Sequence, residues 1–435
     1  MNYTNKTIGI WGYGRVGKAA AQFLQSRGAT ILIYDERPIQ APSSMQIAKS
    51  IEKLFESDYL LPSPGVDTRA YRTQYQGKWL CELDLFHNHF HKPIIAITGS
   101  VGKTTVTHLL AQALAAAGWR VKAIGNIGVP CLDIVKQQDE LDAVILEVSS
   151  FQLEFAKSCA PDLAIWTNMH PNHLDRHGSM QDYFEAKSNL IRYQTKEQSA
   201  LLPVELHQEL HDIHLKNSLS FFGKAPKVLN YPFFSIENQE IHLQNHDTIT
   251  SIIPLNSLDQ SIFPINWLMV YAALHLLKVT PQPLAIKPIS HRLELVATIA
   301  GVTFYNDSKS TTPVSTQAAL AALAAPRTIL FLGGLSKGID RTPLIQSLQN
   351  RPLQVICFGK EATLLHQQCT ALQIPSYSFA TLDEAFQLCT IITQPNDCVL
   401  FSPAGSSFDL FENYEKRGEE FKALVLRYGK TTTIS

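Results

Sequence analysis

A chain of 435 residues is too long for one hydrophobic core, so two to four domains are expected. Lys and Arg (37) balance Asp and Glu (38), leaving a net charge of -1 and no field of one sign that would recruit nucleic acid or an anionic membrane. The seven cysteines are scattered, odd in number and form no C-x-x-C pair, which argues against a disulfide framework or a thiolate zinc site and for a reducing compartment. The first residues, MNYTNKTIGIWGYGR, lack a basic start followed by an apolar segment, and no run of about 18 apolar residues occurs. A cytoplasmic protein with small-molecule partners is expected, without membrane insertion.

The first predicted strand, TIGIWG, leads into a helix-length segment, RVGKAAAQFLQSRG. Between them Gly12, Gly14 and Gly17 form a G-x-G-x-x-G, and Asp35 ends the next strand, ILIYDE. That spacing is close to a dinucleotide fingerprint. What the loop itself explains is phosphate binding at a helix N-terminus, where free N–H groups and the dipole meet an anion, so any diphosphate would suit it. Nothing downstream suggests a hydride-transfer site, which makes a nicotinamide cofactor the lesser reading. In a third reading the glycines only let a strand pack closely on a helix.

A polar break, FHNHFHKP, separates this block, residues 1–90, from a second spanning 91–290. There the strand IIAIT runs into TGSVGKTT and then a good helix former. Gly102, Lys103 and Thr104 give the glycine-lysine-hydroxyl ending of a phosphate loop, although Ile97 stands where a strict G-x-x-x-x-G-K-[ST] needs its first glycine. Lys103 would neutralise phosphate oxygens, and Thr104 or Thr105 would offer a hydroxyl to Mg²⁺. The apolar run Ala143 to Leu146 ends at Glu147, an acid in the place a metal ligand needs. His170, His173 and His177 carry a zinc-like spacing, but Pro171, Asn168 and Asn172 around them indicate a loop. Surface histidines are expected there, with one of them near a Mg-nucleotide as the sharper alternative.

Residues of about 200 to 260 read as strand-rich and less regular, FPINWLMVYAALHLLKV as a helix, and TPQPLAIKPIS, with four prolines, as a linker. The third block, 291–435, alternates strand and helix again in TILFLGG, RTPLIQSLQN, LQVICFG and EATLLHQQCTAL. The expected class is α/β: three domains in series, a Rossmann-like N-terminal domain, a central P-loop ATPase-like domain with a mixed sheet, and a Rossmann-like C-terminal domain.

Taken together these motifs resemble the Mur ligases, ATP-dependent amide-forming enzymes of peptidoglycan precursor synthesis. The family's loop reads T-G-[ST]-N-G-K-[ST]-T, with no early glycine, and TGSVGKTT departs from it only at Val101. GNIGVP, LEVSSFQLE, NHLDRH with YFEAK, HRLE with YNDSKSTTP, LGGLSKGID and SPAGSSFDLFENYEKRGEEF extend the likeness over all three blocks, toward the branch that adds D-glutamate. The D-N-P-R and G-x-G-H-x-G motifs of sister ligases are absent.

The resemblance implies a ligase that adds D-glutamate to UDP-N-acetylmuramoyl-L-alanine through an acyl phosphate, in a bacterial cytoplasm and as a monomer. It implies that Gly99, Ser100, Val101, Gly102, Lys103, Thr104 and Thr105 hold ATP. Two Mg²⁺ ions would be held by Thr104, Glu147, His173 and a carbamylated Lys187, and Lys103, Glu147, His173 and Lys187 would form the catalytic group. Asn266 would face adenine, with Met269 replacing a usual asparagine, and Arg292, Asp307 and Lys309 would reach the nucleotide from the third block. Gly12, Tyr13, Gly14, Arg15, Asp35, Arg37, Ser63, Pro64, Gly65 and Asn126 would bind the UDP substrate. Thr311, Lys337, Ser407 and Tyr414, the last where phenylalanine is common, would hold the D-glutamate carboxylates. The competing readings are another Mur-type amide ligase, such as a cyanophycin- or folate-type synthase, and a non-catalytic relative that senses nucleotide or UDP-sugar.

Overall fold

The computed structural model describes residues 3–224, 230–246, 248–259, 262–282, 284, 286, 289–323 and 325–432. Part of the proline-rich linker expected at 280–290 therefore lies outside the described residues.

Short β-branched runs form three sheets, and the α/β expectation is borne out. The first sheet contains β1 (Thr7–Trp11), β2 (Thr30–Tyr34), β3 (Gln46–Ile47), β4 (Tyr59–Pro62) and β5 (Lys78–Trp79) in the order β3-β2-β1-β4-β5, all parallel. The second contains β6 (Ile94–Thr98), β7 (Val121–Gly125), β8 (Ala143–Glu147), β9 (Leu163–Trp166), β10 (Ser199–Pro203), β11 (Ser218–Phe222), β12 (Phe233–Glu237), β13 (Glu240–Asn245) and β14 (Thr248–Pro254). Its order is β14-β13-β12-β11-β10-β9-β6-β8-β7, parallel from β7 to β12 and antiparallel in the final hairpins. The third, β15-β16-β20-β17-β18-β19, contains β15 (Glu294–Ile299), β16 (Val302–Asn306), β17 (Arg327–Gly333), β18 (Leu353–Phe358), β19 (Ser376–Phe379) and β20 (Asp397–Phe401), with only β15 antiparallel.

The backbone divides into two compact units, Met1–His170 with Gly178–Ile286, and Pro171–His177 with Lys287–Ser435. In the first unit one apolar core joins the first two sheets, running from Ile8, Ile10 and Phe23 through Phe86 and Phe90 to Trp166 and Phe184. The stretch Phe86 to Pro93 is accordingly less of a break than its polar letters suggest. The helix Glu82–His89 runs into it because Leu83, Leu85 and Phe86 are buried, with Phe86 stacked on Phe90 at 4.8 Å. In the second unit Phe331, Phe358, Phe401 and Phe421 pack on one face of the sheet, while Leu330, Leu332 and Leu400 pack on the other.

All seven cysteines are buried free thiols. No described helix is long and apolar enough to cross a membrane.

The strand orders decide where ligands can sit. Each sheet has a central strand from which the chain departs to both sides, and loops at the carboxyl ends of such strands diverge to leave a crevice. In the first sheet the crevice lies between the loops after β1 and β4, and in the second between those after β6, β8 and β9. In the third the loops after β16, β20 and β17 lie side by side.

Candidate active site

The loop after β6 begins at Gly99, with φ of +147°, and turns at Gly102, with φ of +85°. The helix Lys103–Ala116 then starts with no capping side chain and no acidic residue in its first turn. A helix start of that kind presents N–H groups and a positive dipole end to an anion. Ser100 and Val101 do not contribute N–H groups to it. The N–H of Ser100 is donated to the Asn168 carbonyl at 3.2 Å, and that of Val101 to Asn168 Oδ1 at 3.0 Å. The Val101 carbonyl accepts from Thr167 Oγ1 at 2.6 Å and Asn168 Nδ2 at 3.0 Å. The loop is thus held from β9 through its main chain, whatever side chain stands at position 101. Lys103 Nζ donates to the Gly99 and Ser100 carbonyls at 2.7 and 3.2 Å, and Ser100 Oγ lies 3.2 Å from the Tyr183 hydroxyl. Asn266 is buried at the turn, its Oδ1 3.3 Å from where a side chain on Gly102 would begin, and Met269 is buried on the same helix.

Glu147 ends β8 beside Ile97 of β6 and is fully buried. Its Oε1 accepts from Asn126 Nδ2 at 2.8 Å, while Oε2 is buried without a hydrogen-bond partner, as is Thr105 Oγ1. A buried anionic oxygen and a hydroxyl left unpaired beside a phosphate loop fit Mg²⁺, which takes oxygen ligands from one or two carboxylates and from substrate phosphates. Among the described residues no group of three or more His, Cys, Asp or Glu is placed to hold a metal, so the zinc reading of the histidines has no support. Lys187, on the helix Met180–Arg192, is 1 % exposed and donates to Thr98 Oγ1 at 3.2 Å and to the Gly99 carbonyl at 3.0 Å. Burial drives its pKa well below the ordinary lysine value, the Lys103 charge pushes the same way, and Glu147 opposes both. His173 lies in the segment Pro171–His177 of the other compact unit, so the structure does not join it to Glu147 and Lys187 within one body.

The loops after β1 and β4 form a cavity of about 660 Å³. Gly12, Gly14, Arg15, Asp35, Arg37, Ser63, Pro64, Gly65 and Asn126 all line it, together with Trp11 and Gln152, which the sequence reading did not single out. Gln152 is a buried residue within LEVSSFQLE, where its spacing three residues after Ser149 marks it only as half of a helix capping box. Tyr13 is different: its ring is buried with the hydroxyl 3.7 Å from Met45 Sδ, and only its main chain serves the loop, donating to Asp35 Oδ2 at 2.7 Å. Burial raises the Asp35 carboxyl, but N–H bonds from Tyr13 and Arg37 outweigh it and hold the group below its usual value. The helix Arg15–Gln25 again lacks a capping side chain and an early acid. The close-packing reading of the glycines applies to Gly17, where a side chain would meet the Gly12 carbonyl at 2.0 Å, and to Gly12, where one would begin 2.9 Å from Val66; at Gly14 nothing lies within 4 Å.

In the second unit, the loops after β16, β20 and β17 bring Asp307, Lys309 and Thr311 beside Ser407 and Lys337. Asp307 is buried and its carboxyl raised by burial, partly offset by Arg292 and by the Ser402 hydroxyl, which donates to Oδ2 at 2.7 Å. Arg292 Nε is a buried donor without a hydrogen-bond partner. Lys309 Nζ lies 3.8 Å over the Tyr414 ring. Lys337 takes a left-handed φ of +53° between Gly334 (+70°) and Gly338 (+75°), strain of a kind found at ligand clamps. Burial lowers the Lys337 ammonium, with Asp175 opposing and Arg417 adding to the shift.

An uncapped phosphate loop beside a buried acid and a buried lysine, on a sheet of mixed direction, defines a P-loop enzyme that handles nucleoside triphosphate. Residues 97–258 match the Mur ligase middle domain and residues 291–405 the Mur ligase glutamate ligase domain. Residues 1–62 match the NAD binding domain of D-isomer specific 2-hydroxyacid dehydrogenases, in the block that carries the glycine fingerprint. A UDP-N-acetylmuramoylalanine--D-glutamate ligase from Desulfotalea psychrophila is 33 % identical over 97 % of this chain and 96 % of its own length. One from Oleidesulfovibrio alaskensis is 34 % identical over 96 % and 93 %. The MurF ligase of Thermotoga maritima in complex with ADP shares the fold, with a TM-score of 0.58 at 16 % identity over 98 % of this chain and 96 % of its own. The chain belongs to the Mur ligase family and is an ATP-dependent ligase.

Proposed function

We propose that this ligase joins the amino group of D-glutamate to the L-alanine carboxylate of UDP-N-acetylmuramoyl-L-alanine, as a cytoplasmic monomer with domains at 1–90, 91–290 and 291–435. The observation that carries the reading is Asn126, which lines the 660 Å³ cavity and donates to Glu147 beside the phosphate loop. A UDP-anchored substrate in that cavity would have its far end next to ATP. The names of the near full-length relatives support the same substrates.

A carboxylate is a poor acyl donor because oxide would have to leave. Transfer of the ATP γ-phosphoryl to a carboxylate oxygen forms an O–P bond, breaks the bond to the bridging oxygen and releases ADP. The D-glutamate amine then attacks the acyl carbon, losing a proton as the C–N bond forms and phosphate departs. Lys103 and the N-terminus of its helix hold the phosphates, and Arg292, Asp307 and Lys309 complete the nucleotide contacts. Catalysis by such a site consists of positioning and charge neutralisation. Two Mg²⁺ ions, held by Thr104, Glu147, His173 and a carbamylated Lys187, would supply neutralisation of phosphate oxygens. The buried Lys187 suits that modification: a neutral amine adds CO₂, loses a proton and becomes an anionic oxygen ligand. Thr311, Lys337, Ser407 and Tyr414 receive the two carboxylates of D-glutamate.

The test is ADP release that requires both UDP-N-acetylmuramoyl-L-alanine and D-glutamate and disappears in Lys103→Ala. Turnover with a different amino acid only would reassign the chain to another Mur-type amide ligase. Nucleotide or UDP-sugar binding without turnover of any amino acid would make it a sensor.

A further inference from the structure

Three loops leave adjacent strands at the carboxyl edge of the third sheet, and each carries residues assigned above to nucleotide or amino acid. Main-chain bonds tie them together: Asp307 N–H to the Phe401 carbonyl (2.8 Å), Ala404 N–H to the Ser310 carbonyl (3.0 Å), and Leu335 and Ser406 to one another (2.9 and 2.8 Å). Into their midst the final helix, Tyr414–Thr432, sends Arg417, which is fully buried. Its Nε donates to Ser308 Oγ at 3.0 Å, Nη2 to the Ser308 carbonyl at 2.8 Å and Nη1 to the Gly405 carbonyl at 2.8 Å. A side chain on Gly334, in the third loop, would begin 2.9 Å from Nη1. The Ser308 hydroxyl passes the chain on, donating to the Tyr414 carbonyl at 2.8 Å.

None of these three bonds goes to a carboxylate. A buried cation satisfied only by a hydroxyl and carbonyls is costly to keep, and an apolar residue of the same volume would be the cheaper filler if packing were all that was needed. Only a guanidinium offers a planar fork of donors that can hold two chain segments at fixed spacing. The charge is felt beyond its own bonds: Asp409 and Asp307 attract it, and the buried Arg341 repels it. Arg341 braces the same edge, donating to the Gly334 carbonyl at 2.9 Å and pairing with Glu361 at 3.2 Å, whose carboxylate accepts the Ser336 N–H just before Lys337.

We propose that Arg417 is a positioning residue for the dicarboxylic amino acid: it sets the spacing between the Ser308 and Gly405 loops, and thereby between Thr311, Ser407 and the Tyr414 main chain. This rests on the D-glutamate reading above. An incoming dicarboxylate meets donors already in place, beside an Arg417 guanidinium whose own bonds go to a hydroxyl and two carbonyls.

The experiment is steady-state kinetics of Arg417→Lys and Ser308→Ala in the full chain, with each substrate varied in turn and thermal unfolding measured alongside. Lysine keeps the charge but cannot hold both loops, so KM for D-glutamate rises about tenfold or more, the equivalent of one charge-assisted hydrogen bond. KM for UDP-N-acetylmuramoyl-L-alanine stays within about twofold, a split that general loosening would not produce. Ser308→Ala, which removes one acceptor, shifts the same constant by about threefold or more and decides the matter if the lysine variant does not fold. An unchanged KM for D-glutamate in a folded variant, or equal changes in all three constants, overturns the proposal. Wild-type protein inactive with D-glutamate would instead overturn the functional reading beneath it.

Discussion

Glu82→Gln tests how the first unit holds together next to the cavity of its first sheet. Glu82 opens the helix Glu82–His89, is 5 % exposed, and has both carboxyl oxygens buried without a hydrogen-bond partner. Burial pushes its pKa from 4.5 up to about 7; the Cys131 thiol and the Gln152 amide, which borders the cavity, pull it back only in part. The gap between about 7 and 4.5, at about 1.4 kcal/mol for each pH unit, is on the order of 3 kcal/mol. Between those two values the folded chain keeps a proton that the unfolded chain has released, so stability falls as pH rises through the window. The penalty is nearly absent at pH 4.5 and complete above pH 7. Glutamine has the same shape and does not ionise. Glu82→Gln is therefore expected to raise the melting temperature at pH 8 by roughly 6 °C, at about 2 °C per kcal/mol for a domain of this size, with most of the gain gone at pH 5. Calorimetry at the two pH values checks it. A gain that does not depend on pH, or a loss at pH 8, would refute the reasoning.

Asn168→Ala removes two hydrogen bonds from the main chain of Val101, each worth about 1 kcal/mol, and is expected to raise KM for ATP by about 30-fold. An unchanged KM would show that the clamp is idle. Val101→Asn adds side-chain hydrogen bonding to the loop and lowers KM for ATP; an equal or higher value would show that the side chain at position 101 plays no part in nucleotide binding. Gly99→Ala abolishes nucleotide binding, because a side chain there would begin 1.9 Å from Thr167 Oγ1 at a φ of +147°, as isothermal titration with ADP would register. Lys187→Ala loses activity by about 100-fold or more and regains part of it with added formate or acetate, which supply the missing carboxylate; full activity without rescue would remove Lys187 from the site.

Three loop-bearing sheet edges follow one another along the chain. Each uses the same device, diverging loops at the carboxyl end of a parallel strand, and each presents main-chain donors that a short polar loop can hold rigidly. The second unit adds a left-handed backbone at Lys337 and a buried fork of donors at Arg417.

What could be read from the residues alone was local. A β-branched run, a glycine turn and an amphipathic helix are decided within about 25 residues, so the loops at Gly12 and Gly99 and the strand ending at Glu147 are legible from order and spacing. Tertiary structure decided which of these loops share a crevice and which side chains turn inward. Tyr13 sits inside a glycine fingerprint yet its ring belongs to the core: the hydroxyl lies against Met45, and only the main chain serves the loop. Asn168 and Arg417 lie 67 and 109 positions from the residues they hold, Val101 and Ser308, and carry no periodicity that announces them. The segment Pro171–His177, contiguous with the central sheet in sequence, packs with the other unit. Hydrogen bonds between distant loops depend on strand order, and strand order follows from how whole sheets bury their faces, which no short stretch of sequence contains.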